Sequence, residues 1–221
     1  NGHKFVVHND LQSVIEKNSL KSTINFYPQE EVIEKSDILL AFGGDGTILS
    51  VARLVGNSEI PIVGINLGKL GFLAEIGKAE VYDFIKDLLT GNYIIEERMM
   101  IEAILSEQNG KKLLGLNDII IRKSQTSRLI NIKAYVNDDH LITTMSDGII
   151  VATPTGSTAY SMSSYGPIVA PSSKVLIINP ICPHTLTVRP IIVPDDYEFR
   201  AFVESHNGEA MVTADGQVDL R

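Results

Sequence analysis

A continuous apolar run, Ile38-Leu39-Leu40-Ala41-Phe42, ends at Gly43-Gly44-Asp45-Gly46-Thr47, and Ile48, Leu49, Ala52 and Val55 follow at the spacing of one helix face. A short run without a polar member reads as a strand covered on both faces. The stripe after it reads as an amphipathic helix capped at Thr47. A buried strand passing into a helix through a glycine loop restricts this half of the chain to α/β architecture. The flanking segments agree. Phe5 to His8 reads as a short strand, Leu11, Val14 and Ile15 as a weak helical stripe, and Ile62 to Ile65 as another buried strand. Val81, Phe84, Ile85, Leu88 and Leu89 mark a helix face that stops near Gly91. The alternation predicts βαβ units and a mostly parallel, Rossmann-like sheet.

Beyond Glu97 helical stripes nearly vanish, and short β-rich runs recur between turns containing Asn, Asp or Gly. Met99 to Ser106 and Lys112 to Leu116 flank Gln108-Asn109-Gly110, and Glu198 to Glu204 and Ala210 to Ala214 flank His206-Asn207-Gly208; both pairs are expected to be hairpins. The chain is therefore expected to hold an α/β domain over residues 1–97 and a β-rich, sandwich-like domain over 98–221.

Composition removes several functions. No stretch approaches the roughly 18 consecutive apolar residues of a spanning helix, so no membrane partner is expected. A formal net charge of −8 disfavours general attraction to nucleic acid or anionic lipid, so an anionic ligand must be held locally. The single cysteine, Cys182, reads as a small buried residue in a reducing compartment, and no secretory h-region is visible near Asn1; the expected location is cytoplasmic. His184 has no ligand partner at useful spacing, and no protein-built metal site is expected.

Three clusters carry candidate chemistry. Gly43, Gly44, Gly46 and Thr47 place backbone N–H groups at a helix start, where a phosphate would sit. Asp45 is the odd element, since a carboxylate beside a phosphate repels it unless it binds metal or accepts a proton. A second glycine cluster, Gly64 to Leu73, follows the next strand, with Phe72 able to cover a base or nicotinamide ring. The third, Asp147 to Ser163, ends a strand in a hydroxyl-dense turn. Thr155, Thr158, Tyr160, Ser161 and Ser163 there offer neutral donors and acceptors suited to ribose and phosphate oxygens. Asn117-Asp118 are placed to grip a sugar diol or an amide. Neither Gly-x-Gly-x-x-Gly at the first helix nor Gly-x4-Gly-Lys-Ser/Thr is present, nor are Gly-x-Ser-x-Gly and His-Glu-x-x-His.

Taken in order, the clusters resemble the NAD kinase family. The Asn-x-Gly-x-Leu-Gly-Phe-Leu pattern at 66–73, Asn117-Asp118, the run at 147–161, Pro-His-Thr-Leu at 183–186 and Asp215-Gly216-Gln217 are similar to that family's landmarks. The resemblance implies phosphorylation of the adenosine ribose 2′-hydroxyl of NAD to give NADP, with ATP or polyphosphate as donor and Mg²⁺ held mainly by phosphates. It implies Asp45 as proton acceptor, and Gly43, Gly44, Gly46 and Thr47 near the transferred phosphate. Gly46, Phe72, Asn117, Asp118 and Thr155 would contact NAD, as would Thr158, Ala159, Tyr160, Ser161, Met162 and Ser163. Asp147, Arg128 and Gln217 match further dinucleotide contacts, some supplied by a neighbouring subunit of a homodimer or homotetramer.

Tyr165 stands in place of the family's usual glycine, and Met145 in place of a frequent basic residue. Family members usually also continue past the point where this chain stops, four residues after Gln217. Two other readings share parts of the pattern: a lipid or sugar kinase with the same Gly-Gly-Asp-Gly loop, and a non-catalytic NAD(P)-sensing module.

Overall fold

The computed structural model describes residues 3–17, 24–68, 71–124, 129–185, 187–205 and 210–220. The chain divides into two units, Asn1–Ile95 and Glu96–Arg221. In the first, β1 (Val7–His8), α1 (Gln12–Lys17), β2 (Phe26–Tyr27) and α2 (Gln29–Glu34) precede β3 (Leu39–Gly43), α3 (Asp45–Val55), β4 (Ile62–Asn66), β5 (Ile76–Gly77) and α4 (Val81–Thr90). The pairings β1–β2, β3–β4 and β4–β5 are all parallel. They fit the α/β expectation, because helical crossovers return the chain to the same edge of each strand. α3 places Ile48, Leu49, Ala52 and Val55 inward as its spacing requires, and Ile48 packs with Ala41 and Ala74. α4 closes at Gly91 in the left-handed region, φ 77°.

Three local expectations are corrected here. The helix cap is Gly44, not Thr47; α3 begins at Asp45, and the Thr47 N–H donates to the Gly44 carbonyl at 3.0 Å. An acidic first-turn residue favours that earlier start through the helix dipole. The apolar run is not covered on both faces: Leu39 and Ala41 are buried, whereas Phe42 is 47% exposed, because α3 lies on the Ala41 side. The first strand is also shorter than expected, with Phe5 exposed.

In the second unit every strand pairing is antiparallel. A hairpin of β6 (Ile101–Leu105) and β7 (Lys111–Gly115) is followed by β8 (Asp118–Lys123), β9 (Ile130–Val136), β10 (Asp139–Ser146) and β11 (Gly148–Ala152). A short helix α5 (Tyr160–Ser163) then leads to β12 (Val175–Ile181), β13 (Ile191–Pro194), β14 (Phe199–Glu204), β15 (Ala210–Ala214) and β16 (Val218–Leu220). One sheet runs β13-β12-β11-β8-β15-β16, a second β10-β9-β14. Ile149 and Val151 of β11 enter a core shared with Ile130, Ile132 and Ala134 of β9, which joins the two sheets as a sandwich. Ile150 and Ala152 point the other way, onto Ile120, Ile177 and Ile181. Each fully buried isoleucine contributes roughly 1.5–3 kcal/mol.

The hairpin around Asn109-Gly110 forms as its sequence requires, with Leu105 opposite Lys111 and both turn residues at positive φ. The second expected hairpin does not form. β14 pairs with β9, while β15 lies between β8 and β16; the turn at His206-Asn207-Gly208 falls outside the described residues. Phe199, Ala201 and Val203 pack on one core and Val212 and Ala214 on another, so the two apolar rows belong to different sheets. Cys182 is likewise exposed rather than buried, at φ 46° just past the end of β12.

Tyr165 adopts φ 63° with its ring 93% exposed. A tyrosine here bears the left-handed Cβ strain that glycine avoids, and its ring gains little burial in return. We expect Tyr165→Gly to raise the unfolding free energy by about 0.5–1 kcal/mol in urea titration, the relief of strain outweighing the added chain entropy. An unchanged or lower midpoint would contradict this account.

Candidate active site

Asp45 gathers the two glycine loops of the first unit. Its Oδ2 accepts the Phe72 N–H at 2.9 Å, and its Oδ1 accepts the N–H groups of Leu73 and Ala74 at 3.0 and 3.2 Å. A carboxylate offers about four acceptor directions; these bonds use three and leave one at Oδ2. Gly71 makes the approach possible, since a Cβ there would lie 2.1 Å from Oδ1. Asn66 steadies the same loop, accepting the Gly68 N–H at 2.8 Å and donating to the Ala74 carbonyl. Gly43 ends β3, Gly44 is the cap, and Gly46 and Thr47 form the first turn of α3. The Phe72 ring is 65% exposed.

The second unit holds a cleft of about 380 Å³. Of the residues singled out in sequence, Asn117, Asp118, Ala159 and Tyr160 line it; Arg122, Thr213, Asp215 and Asp219 line it too and were not singled out as ligands. Asp118 is 2% exposed. Burial, with the negative charge of Asp215 adding to it, pushes its carboxyl up to about 7. Near neutrality it therefore both donates and accepts hydrogen bonds across the population. Arg122 lies 3.6 Å from Asp219, which also accepts from the Thr213 hydroxyl. Asp219 and Arg122 are thus already partnered, and Tyr160 presents a half-exposed ring.

The other expected ligands are placed differently. Thr155 is buried, and its hydroxyl finds no partner among the described residues; a buried hydroxyl of this kind calls for water or a ligand. The Thr158 hydroxyl donates to the Thr155 carbonyl. Ser161 is fully buried, and its Oγ accepts from Asn179 Nδ2 at 3.3 Å. Met162 and Ser163 are exposed. Asp147 pairs with Lys123, and the Gln217 N–H closes a turn on the Ala214 carbonyl. None of these lines the cleft. Arg128 lies outside the described residues.

Comparison with known proteins follows the same division. The family model for the ATP-NAD kinase N-terminal domain matches residues 3–93, and that for the ATP-NAD kinase C-terminal domain matches 116–221. The chain is 50% identical over 189 residues to an NAD kinase of Caldanaerobacter subterraneus subsp. tengcongensis, covering 85% of this chain and 67% of the relative. It is 49% identical over 195 residues to an NAD kinase of Moorella thermoacetica, covering 87% and 62%. It thus spans about two thirds of the length of these relatives. Among solved structures, yeast NADH kinase complexed with NADH superposes with TM-score 0.88 at 28% identity, over 98% of this chain and 66% of that one. An NAD kinase from Archaeoglobus fulgidus in complex with ATP gives 0.78 at 27% identity, over 98% and 85%. With both domain models matched in order and relatives at half identity, the chain belongs to the ATP-NAD kinase family and has its fold, an α/β unit followed by an antiparallel β-rich unit.

Proposed function

We propose that the chain phosphorylates the 2′-hydroxyl of the adenosine ribose of NAD, with ATP or polyphosphate as donor. The observation that carries this reading is the Asp45 carboxylate, fixed by three backbone N–H groups with one acceptor direction left at Oδ2. A ribose hydroxyl placed there would give up its proton as the oxygen–phosphorus bond forms. In a loose phosphoryl-transfer transition state that proton leaves late, so the aspartate needs position more than basicity. The start of α3 favours the negative charge of the donor. A divalent cation such as Mg²⁺, held by the donor's own oxygens, would neutralise charge on the phosphates; the described residues gather no set of three His, Cys, Asp or Glu side chains.

Asn117, Asp118, Ala159 and Tyr160 supply the dinucleotide side of this reading, and the partnerless Thr155 hydroxyl fits a polar ligand group. Contributions from Asp147, Arg128 and Gln217, and their sharing between copies in a homodimer or homotetramer, belong to the same proposal. Among the described residues no helix is long and apolar enough to cross a membrane.

Two variants test Asp45. Asp45→Asn keeps the shape and removes the proton acceptor; kcat for NADP formation should fall by roughly 10²-fold or more, with the calorimetric dissociation constant for NAD largely unchanged. Turnover near that of the parent chain would discard the role. Gly71→Ala keeps the carboxylate and displaces it, because the new Cβ meets Oδ1. A loss of roughly 10²-fold in kcat is expected there too, and full activity would show that the anchoring of Asp45 is irrelevant.

A further inference from the structure

Leu116–Asp118 carries three backbone N–H and three C=O groups, and two residues distant in sequence take all six. Asp215 Oδ2 accepts the Leu116 N–H at 3.1 Å; its Oδ1 accepts those of Asn117 at 2.7 Å and Asp118 at 3.3 Å. The Asp215 N–H donates to the Asp118 carbonyl at 3.0 Å. From the other side the Thr153 hydroxyl donates to the Leu116 carbonyl at 2.6 Å, and its N–H to that of Asn117 at 2.9 Å. The same hydroxyl accepts the Gly156 N–H. Gly156 lies so close that a Cβ on it would sit 1.9 Å from the Asn117 oxygen.

From this geometry we infer that Asp215 is a positioning residue for substrate, with Thr153 as its counterpart: together they clamp the backbone from which Asn117 and Asp118 face the cleft. The inference rests on the reading of that pair as dinucleotide ligands. A simpler role for Asp215 is available. Asp215 and Gly216, at φ 52° and 65°, form the primed turn joining β15 to β16, and Asp-Gly is a common pair there. The two roles separate, because Asn-Gly serves such a turn equally well. An asparagine, however, brings an amide donor toward N–H groups that need acceptors, and removes the charge that strengthens each bond.

Asp215→Asn is therefore the decisive variant. The positioning role predicts about a 10-fold or greater rise in the dissociation constant and KM for NAD, since bonds to a charged group are lost, with the KM for ATP little changed. Thr153→Val should act in the same direction, and Thr153→Ser should restore affinity. A second readout needs no substrate. The titratable groups that line the cleft with Asp118 are Arg122 on its own strand, Asp219 on β16, Tyr160 on α5 and Asp215, and of these Asp215 alone pushes the Asp118 carboxyl upward. In a carboxyl-carbon NMR titration the Asp118 midpoint should lie well above the usual carboxylate range in the parent chain and move down in Asp215→Asn.

The folded chain holds this proton more tightly than the unfolded one. Stability should therefore fall as pH rises from about 3.8 to about 7, by less in Asp215→Asn than in the parent. Unchanged NAD affinity in Asp215→Asn overturns the positioning role, as does an unmoved Asp118 midpoint. A parent chain that binds no NAD removes the substrate reading instead, and the titration still decides whether Asp215 acts on Asp118.

Discussion

Three consecutive backbone N–H groups in an irregular loop have no ladder to join, and leaving them dry costs free energy comparable to lost hydrogen bonds. Each unit of this protein answers that constraint with a single aspartate. Asp45 takes the amides of Phe72 to Ala74, and Asp215 those of Leu116 to Asp118. In both cases the carboxylate is remote in sequence from the loop it holds, and a glycine lies against it: a Cβ would sit 2.1 Å from Asp45 Oδ1 on Gly71 and 3.1 Å from Asp215 Oδ1 on Gly115. The loops carrying the candidate chemistry are thus fixed by charge-assisted bonds in addition to the burial of Ala74 and Leu116, which holds their backbone while leaving polar groups open to a ligand.

The sandwich gives the second clamp its rigidity. β11 is buried along its whole length and pairs on both edges. β8 lies beside it and β15 beside β8, so the start of β8 and the end of β15 meet at one end of the sheet. That register brings Asp215 under the Asn117–Asp118 backbone. It also explains the raised Asp118 carboxyl, since a side chain at the first position of a central strand is drawn out of water together with the strand.

Local signals in the sequence carried the elements they specify by themselves. The stripe of α3, the glycine stop of α4 and the Asn109-Gly110 hairpin need only neighbouring residues, and all three form as expected. The paired runs around Asn207-Gly208 read as a hairpin because a turn signal specifies a reversal of direction; which strand becomes the partner depends on where each apolar row finds a core. The same distinction governs the site. Asp45 stood out because a carboxylate among glycines is locally odd. Asp215 drew no notice as a ligand because an Asp-Gly pair is locally ordinary, and its three bonds run to residues nearly a hundred positions away. Thr47, expected to cap α3, lost that place to Gly44, whose backbone rather than side chain suits the position.

The two sites also differ in the ligand charge they suit. The cleft of the second unit has three carboxyl groups, Asp118, Asp215 and Asp219, against one guanidinium, Arg122, that already faces Asp219. A diphosphate would meet net negative charge there, whereas neutral hydroxyls and the donor and acceptor edges of a base would find partners in Asn117, in Asp118, whose carboxyl burial and Asp215 push upward, and in the face of Tyr160. The start of α3 offers the opposite field, the positive end of a helix dipole. On this basis the cleft suits the sugar and base of a dinucleotide, and the glycine loop suits phosphate. Keeping Asp118 partly neutral reduces the repulsion that an anionic substrate would otherwise meet, which gives its burial beside Asp215 a use beyond holding the strand.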